Sequence, residues 1–197
     1  MQLFTVGHST YPLEDFINLL KKNDVQSTPY SKYAPQYNSN ILEKELNKHK
    51  IRYFHMGKFF GARQTEKRYY NAEGCLDFEL FCESDAFKKG VNNIEIGLKK
   101  YNIALMCTEK HPIDCHRGIM VARGFELAGI DVKHILPDGS VISQQEVNRM
   151  LLDMYFPERM QLSIFDIGRE KGEDEYLVEA YRYRNKEIGY RFSDDGS

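Results

Sequence analysis

The residues able to do chemistry crowd into one stretch of this chain, Cys107-Thr108-Glu109-Lys110-His111-Pro112-Ile113-Asp114-Cys115-His116-Arg117. Two thiols, two imidazoles, two carboxylates and a guanidinium can support nucleophilic, acid–base or ligand chemistry. Asp114 is a good helix cap, and the apolar spacing after it predicts a helix over 115–128. That makes Cys115 the first helical residue, beside free backbone N–H groups that favour its thiolate. His116 and Arg117 act in the same sense, while Asp114 opposes. Cys115 is the expected nucleophile, against the plainer reading of a small residue packing the helix start. Glu109, in the loop, is the expected general acid or base. Arg117 and His116 are expected to bind an anionic group of the substrate.

Cys107, His111, Cys115 and His116 also offer four soft or borderline ligands within ten residues, so a zinc ion is the alternative to a metal-free site. The spacing matches no zinc motif, and adjacent residues such as Cys115 and His116 rarely point the same way. No metal or other cofactor is therefore predicted. A cysteine phosphatase or sulfur transferase would need a cysteine and an arginine closing a short anion-binding loop. Neither Cys107 nor Cys115 has that spacing to Arg117.

These groups need a frame, and the pattern around them supplies one. Ile103–Met106 is an apolar run that reads as a buried strand, followed by loop and helix. The amino terminus repeats this order. Leu3–Val6 ends at Gly7, His8-Ser9-Thr10 forms a loop, and Ser9 or Thr10 caps a helix with Pro12 near its start and Phe16, Ile17, Leu19 and Leu20 inward. In open α/β folds, ligands bind past the carboxyl ends of strands, against helix amino termini. His8 is accordingly expected to be catalytic and Ser9 to bind substrate. His55 and His134 lie in strand-like segments and read as hydrogen-bonded structural residues.

Further helices are expected over 40–50, after Ser84, from Ser143 (with Glu146 as a capping box) to Tyr155, and over 173–188. Strands are expected at 51–56 and 131–136. After the first helix, where a second strand belongs, Ser27–Tyr37 is rich in proline and tyrosine and contains no apolar run. It reads as an irregular loop in which Ser31 and Lys32 can contact phosphate or a base. Gly57–Arg63 reads as a glycine-punctuated loop. The fold class is α/β: one domain, a mostly parallel sheet of four to five strands flanked by helices, with a helical carboxy-terminal extension. The core is placed at 1–155 and the extension, packed on it, at 156–197.

The chain has 197 residues, 42% apolar, with 27 basic and 29 acidic side chains for a net charge of −2. No global field draws in polyanions, so contact with nucleic acid would need a local basic patch. Arg63–Arg68 is one candidate, outweighed by its reading as a solvated loop. With no leader-like start and no long apolar run, a soluble cytoplasmic protein is expected, with no membrane partner and with Cys75, Cys82, Cys107 and Cys115 as free thiols. Cys75 and Cys82, seven apart, would share one helical face.

Taken in order, TVGHSTYPLEDFINLLKK, STPYSKYAPQYN, GKFFGAR, IALMCTEKHPIDCHR and VKHILPDGS resemble the bacterial and archaeal family called domain of unknown function 488, over roughly residues 1–150. The resemblance implies a shared polar pocket involving Gly7, His8, Ser9, Ser31, Lys32, Pro35, Gly61, Arg63, Cys107, Glu109, Cys115, His116, Arg117, His134 and Gly139, and implies little about reaction type. The chain departs from the family pattern before Ser27. An apolar strand ending in Asp-Val-Arg is usual there, whereas only Asp24-Val25-Gln26 stands here. The expected function is an enzyme acting on a phosphate-bearing substrate, a nucleotide or nucleic acid, at a His/Cys/Arg pocket. The alternatives are a non-catalytic module binding nucleic acid or protein, and a metal-binding protein.

Overall fold

The computed structural model describes residues 1–29, 39–159 and 171–192. In chain order the main elements are β1 (Leu3–Gly7), α1 (Leu13–Lys22), β2 (Ser27–Pro29), α2 (Ser39–Lys48), β3 (Arg52–Phe54), α3 (Gly57–Phe60), α4 (Phe78–Cys82), α5 (Asp85–Leu98), β4 (Ile103–Cys107), α6 (Arg123–Leu127), β5 (Val132–Ile135), β6 (Val141–Ser143), α7 (Gln144–Tyr155) and α8 (Glu173–Ile188).

The two apolar runs form the middle of the sheet. Every residue of β1 and β4 is buried, as expected for strands covered by helices on both sides. They pair in parallel, from Leu3 opposite Ile103 to Gly7 opposite Cys107. The sheet has six strands in the order β3-β2-β4-β1-β5-β6. Five are parallel and β6 runs antiparallel to β5. The sheet is thus mixed and wider than four to five strands. The additions, β2 and β6, are three residues each, too short to leave a hydrophobic period.

β2 corrects the expectation of an irregular segment after Asp24. Its lead-in is held by polar bonds instead of an apolar stretch. The Gln26 N–H donates to Asn102 O (3.0 Å), the Arg52 N–H donates to Gln26 O (2.8 Å), and the Asn102 N–H donates to Gln26 Oε1 (2.7 Å). Gln26 is used to join strands. Ser31 and Lys32 lie outside the described residues.

The order of connections creates a switch point. From β1 the chain crosses over β4 to reach β2; from β4 it crosses over β1 to reach β5. Phe16, Ile17 and Leu20 of α1 and Leu42 and Leu46 of α2 pack with Phe4, Val6, Ala104 and Met106 on one face. Ile119–Ala122, Phe125, and residues of α5, α7 and α8 pack with Leu3, Ile103 and Leu105 on the other. The loops after β1 and β4 therefore leave in opposite directions, and the crevice between them is where such folds keep their ligands.

Several local expectations change. Pro12, not Ser9 or Thr10, occupies the N-cap of α1, with Glu14 and Asp15 in its first turn. Gly57–Phe60 is a helical turn, not a loop. Cys75 precedes α4 and so does not share a helical face with Cys82, though all four cysteines are free. Ser84 caps α5 through the Phe87 N–H, and Ser143 and Glu146 form the capping box of α7. Among the described residues, no helix is long and apolar enough to cross a membrane.

Candidate metal centre

The helix after Cys115 does not start as a regular α-helix. Residues Pro112–Asp114 form a 3-10 turn, Cys115 is extended (φ −136°, ψ 140°), and Arg117–Ala122 is a π-helical turn that continues into α6. Asp114 is therefore not the cap. Cys115 takes that role: its Sγ accepts the Arg117 N–H at 3.4 Å, and its carbonyl accepts from Gly118 and Ile119. The extended-to-helical bend between Cys115 and His116 lets these neighbours point the same way, which a regular helix forbids.

Four side chains converge as a result. One ligand atom each from Cys107, Glu109, Cys115 and His116 lies within 4.8 Å of every other. Glu109 Oε2 is 2.9 Å from both sulfurs, and His116 Nδ1 is 3.6 Å from Cys107 Sγ and 3.8 Å from Cys115 Sγ. Metal–ligand bonds of about 2.3 Å to sulfur and 2.0 Å to nitrogen give a tetrahedral S···N edge of roughly 3.5 Å. The two S···N separations already match that edge. The group can hold a metal ion. His111, offered as a fourth ligand on sequence grounds, instead accepts the Ile113 N–H through Nδ1 and caps the 3-10 turn; Glu109 takes its place in the group.

The charges follow from this packing. Burial opposes ionisation of Cys115, but the hydrogen bond from Cys107 and the charges of Arg117 and His116 overcome it, and this thiol lies well below its usual range. Cys107 moves far up, first because of its bond to Cys115 and then through burial. Burial, followed by the nearby Cys115 charge, raises the Glu109 carboxyl. For His116, burial favours the neutral ring, yet the Cys115 charge and hydrogen bond outweigh it and raise the imidazole.

Arg117 stands among the residues lining the cavity, but its guanidinium is tied to the protein. The residue is 2% exposed, and its guanidinium donates to Glu109 O at 2.6 Å and Lys110 O at 2.9 Å. It clamps the loop that carries Glu109. The clamp needs Gly7, because a Cβ there would lie 1.9 Å from Glu109 O and 3.1 Å from an Arg117 nitrogen. His8 and Ser9 lie beside this loop through backbone bonds, His8 N–H to Cys107 O (2.9 Å) and Ser9 N–H to Thr108 O (2.8 Å). The His8 ring turns to the α1 face, edge-on to Phe16 at 6.3 Å, and is fully buried. The structure groups Cys107, Glu109, Cys115 and His116, and leaves His8, Ser9 and the Arg117 head out of that group.

A cavity of about 680 Å³ opens over the four ligands. Its walls include His55, Phe60 and Arg63 from the α3 region and Ile188 and Tyr190 from the end of α8. The Arg63 guanidinium sits 4.7 Å from the centre of the Tyr190 ring. Tyr190 carries no recognisable sequence signal. Its position comes from Asn185 and the residues after α8, which bond the segment around Leu76 and Phe78. Beneath the centre, the His134 Nε2–H donates to Gln144 Oε1 (2.6 Å), and His134 Nδ1 pairs with the Thr5 hydroxyl (2.7 Å). Gln144 Nε2 then donates to Gly118 O in the π turn and to the Tyr181 hydroxyl. Burial holds His134 down at about 4, so this histidine is neutral and structural.

The class is a six-stranded α/β fold with two thiols, a carboxylate and an imidazole gathered at its switch point. Within it, the family model for domain of unknown function DUF488 matches residues 13–123, more than half of the chain, and the protein belongs to that family. The matched span contains all four clustered residues and stops short of the Gly7–Ser9 loop and the 132–140 segment. No curated protein and no solved structure matches the chain.

Proposed function

We propose that the protein is a metal-dependent enzyme in which Cys107, Cys115 and His116, with Glu109, hold one zinc-like divalent cation, and that it acts on a phosphate-bearing substrate in the overlying cavity. The convergence of two thiols, a carboxylate and an imidazole within 4.8 Å carries this reading. Charge supports it. Two thiolates and a carboxylate bring −3 and a neutral imidazole adds nothing. The buried Arg117 guanidinium brings +1, leaving −2 for a dication to balance. Soft sulfur with imidazole favours zinc over calcium or magnesium.

The Arg117 guanidinium is bonded to two loop carbonyls, so a phosphate oxygen would meet the metal, with Arg63 as a basic side chain at the cavity wall. A nucleotide or nucleic acid fits this class. A metal-free reading is favoured by one observation, the Arg117 N–H donated to Cys115 Sγ; there Cys115 would serve as a low-pKa nucleophile beside Glu109. The binding-module reading depends on the Tyr-rich loop at 30–38, outside the described residues. Zinc content and inhibition by a strong chelator separate these readings. A metal-bound wild type and a metal-free Cys107→Ser are expected; a metal-free wild type with a reactive Cys115 refutes the metal reading.

A further inference from the structure

We infer that Glu109 is the exchangeable ligand of this centre, so that one coordination position opens to the cavity and the ion is available to a water or substrate oxygen. The inference rests on the metal reading above. The four ligands are not held alike. Cys107 ends a buried central strand in register with Gly7, and Cys115 is 1% exposed with its sulfur fixed by a backbone N–H. His116 is set by the start of the π turn. Glu109, by contrast, sits on the connecting loop; the residue as a whole is exposed, although its carboxyl end packs against the two sulfurs. Arg117 clamps its carbonyl but not its carboxylate.

Geometry adds to this difference. Both sulfur contacts run through the same oxygen, Oε2, at 2.9 Å. A tetrahedral S···O edge would be roughly 3.5 Å, so the carboxylate must withdraw by about 0.6 Å when the ion enters, whereas the imidazole is already placed. The cavity lies over the same four side chains, so a carboxylate that swings away leaves room for a ligand. A structural zinc site is closed by four fixed protein ligands; a catalytic one keeps a position that exchanges. The arrangement fits the second case.

The test is cobalt(II) titration of the full-length chain, read by the sulfur-to-cobalt charge-transfer and ligand-field bands, with inorganic phosphate as the added ligand. Glu109→Ala and the size-preserving Glu109→Gln should keep the charge-transfer band and lose about tenfold in affinity or less, on the scale of an outer contact. Cys115→Ser and His116→Ala should lose more than about a hundredfold. Phosphate should shift the ligand-field bands of the Glu109 variants at lower concentration than those of the wild type. Loss of metal from the Glu109 variants as deep as from Cys115→Ser overturns the inference, as does a spectrum indifferent to phosphate in every form. A wild type that takes up no cobalt refutes the metal reading itself, a separate outcome.

Discussion

Arginine 117 gives the sharpest perturbation. If its guanidinium ties the loop, Arg117→Met removes two bonds from an ionised donor, at 2.6 Å and 2.9 Å. Such bonds contribute about 1.5–3 kcal/mol each, and the lower value applies because Glu109 and Lys110 sit on an exposed loop where water can replace a partner. The sum, about 3 kcal/mol, is offset in part because the variant no longer buries a charge. A net loss of about 2–3 kcal/mol is expected. Arg117→Lys, a point charge that cannot span both carbonyls, should lose about half of that. Urea unfolding reads both: with slopes of about 2–3 kcal/mol per molar, the Arg117→Met midpoint falls by about 1 M. The freed loop also costs metal affinity, by about tenfold or more. The reasoning is refuted if Arg117→Met unfolds within about 0.5 kcal/mol of the wild type while phosphate binding disappears; Arg117 would then be an anion holder.

Gly7→Ala places a methyl 1.9 Å from Glu109 O and should destabilise by about 3 kcal/mol or more through forced separation of two loops; thermal unfolding checks it. His134, held at about 4 in the fold against about 6.5 when unfolded, contributes stability that is whole above pH 6.5. It is lost as pH falls toward 4, because the unfolded chain binds the proton first. The ceiling is about 3 kcal/mol, and urea midpoints between about pH 7 and 4.5 should fall less steeply in His134→Gln than in the wild type. Ser143→Ala removes the α7 capping box and should cost about 1 kcal/mol by the same unfolding assay.

What could be read from residues alone followed physical strength. β1 and β4 are continuous apolar runs because both faces are covered, and they were legible, as were the Ser84 cap and the Ser143–Glu146 box. β2 was not, because its lead-in is held by hydrogen bonds of Gln26 to Asn102 and Arg52, and polar bonds leave no hydrophobic period. Cys107, Cys115 and His116 were offered together with His111 as possible metal ligands, and the structure brings Glu109 to that group in place of His111. Cys115 and His116 point the same way because an extended Cys115 followed by a π turn breaks the regular helix that the 115–128 spacing suggests. An arginine near a helix start looks the same in sequence whether it faces an anion or, as the Arg117 guanidinium does here, donates to two loop carbonyls. The His8 ring continues the strand alternation of Phe4 and Val6 and so falls on the α1 face.

Metal content of the purified chain tests the central claim most directly. Elemental analysis of protein produced with zinc in the medium and freed of loosely bound ions should find about one zinc per chain in the wild type and next to none in Cys115→Ser or His116→Ala of equal fold. A wild type without metal that also takes up none when zinc is added back would contradict the account, and would leave Cys115 as a bare thiolate at the switch point.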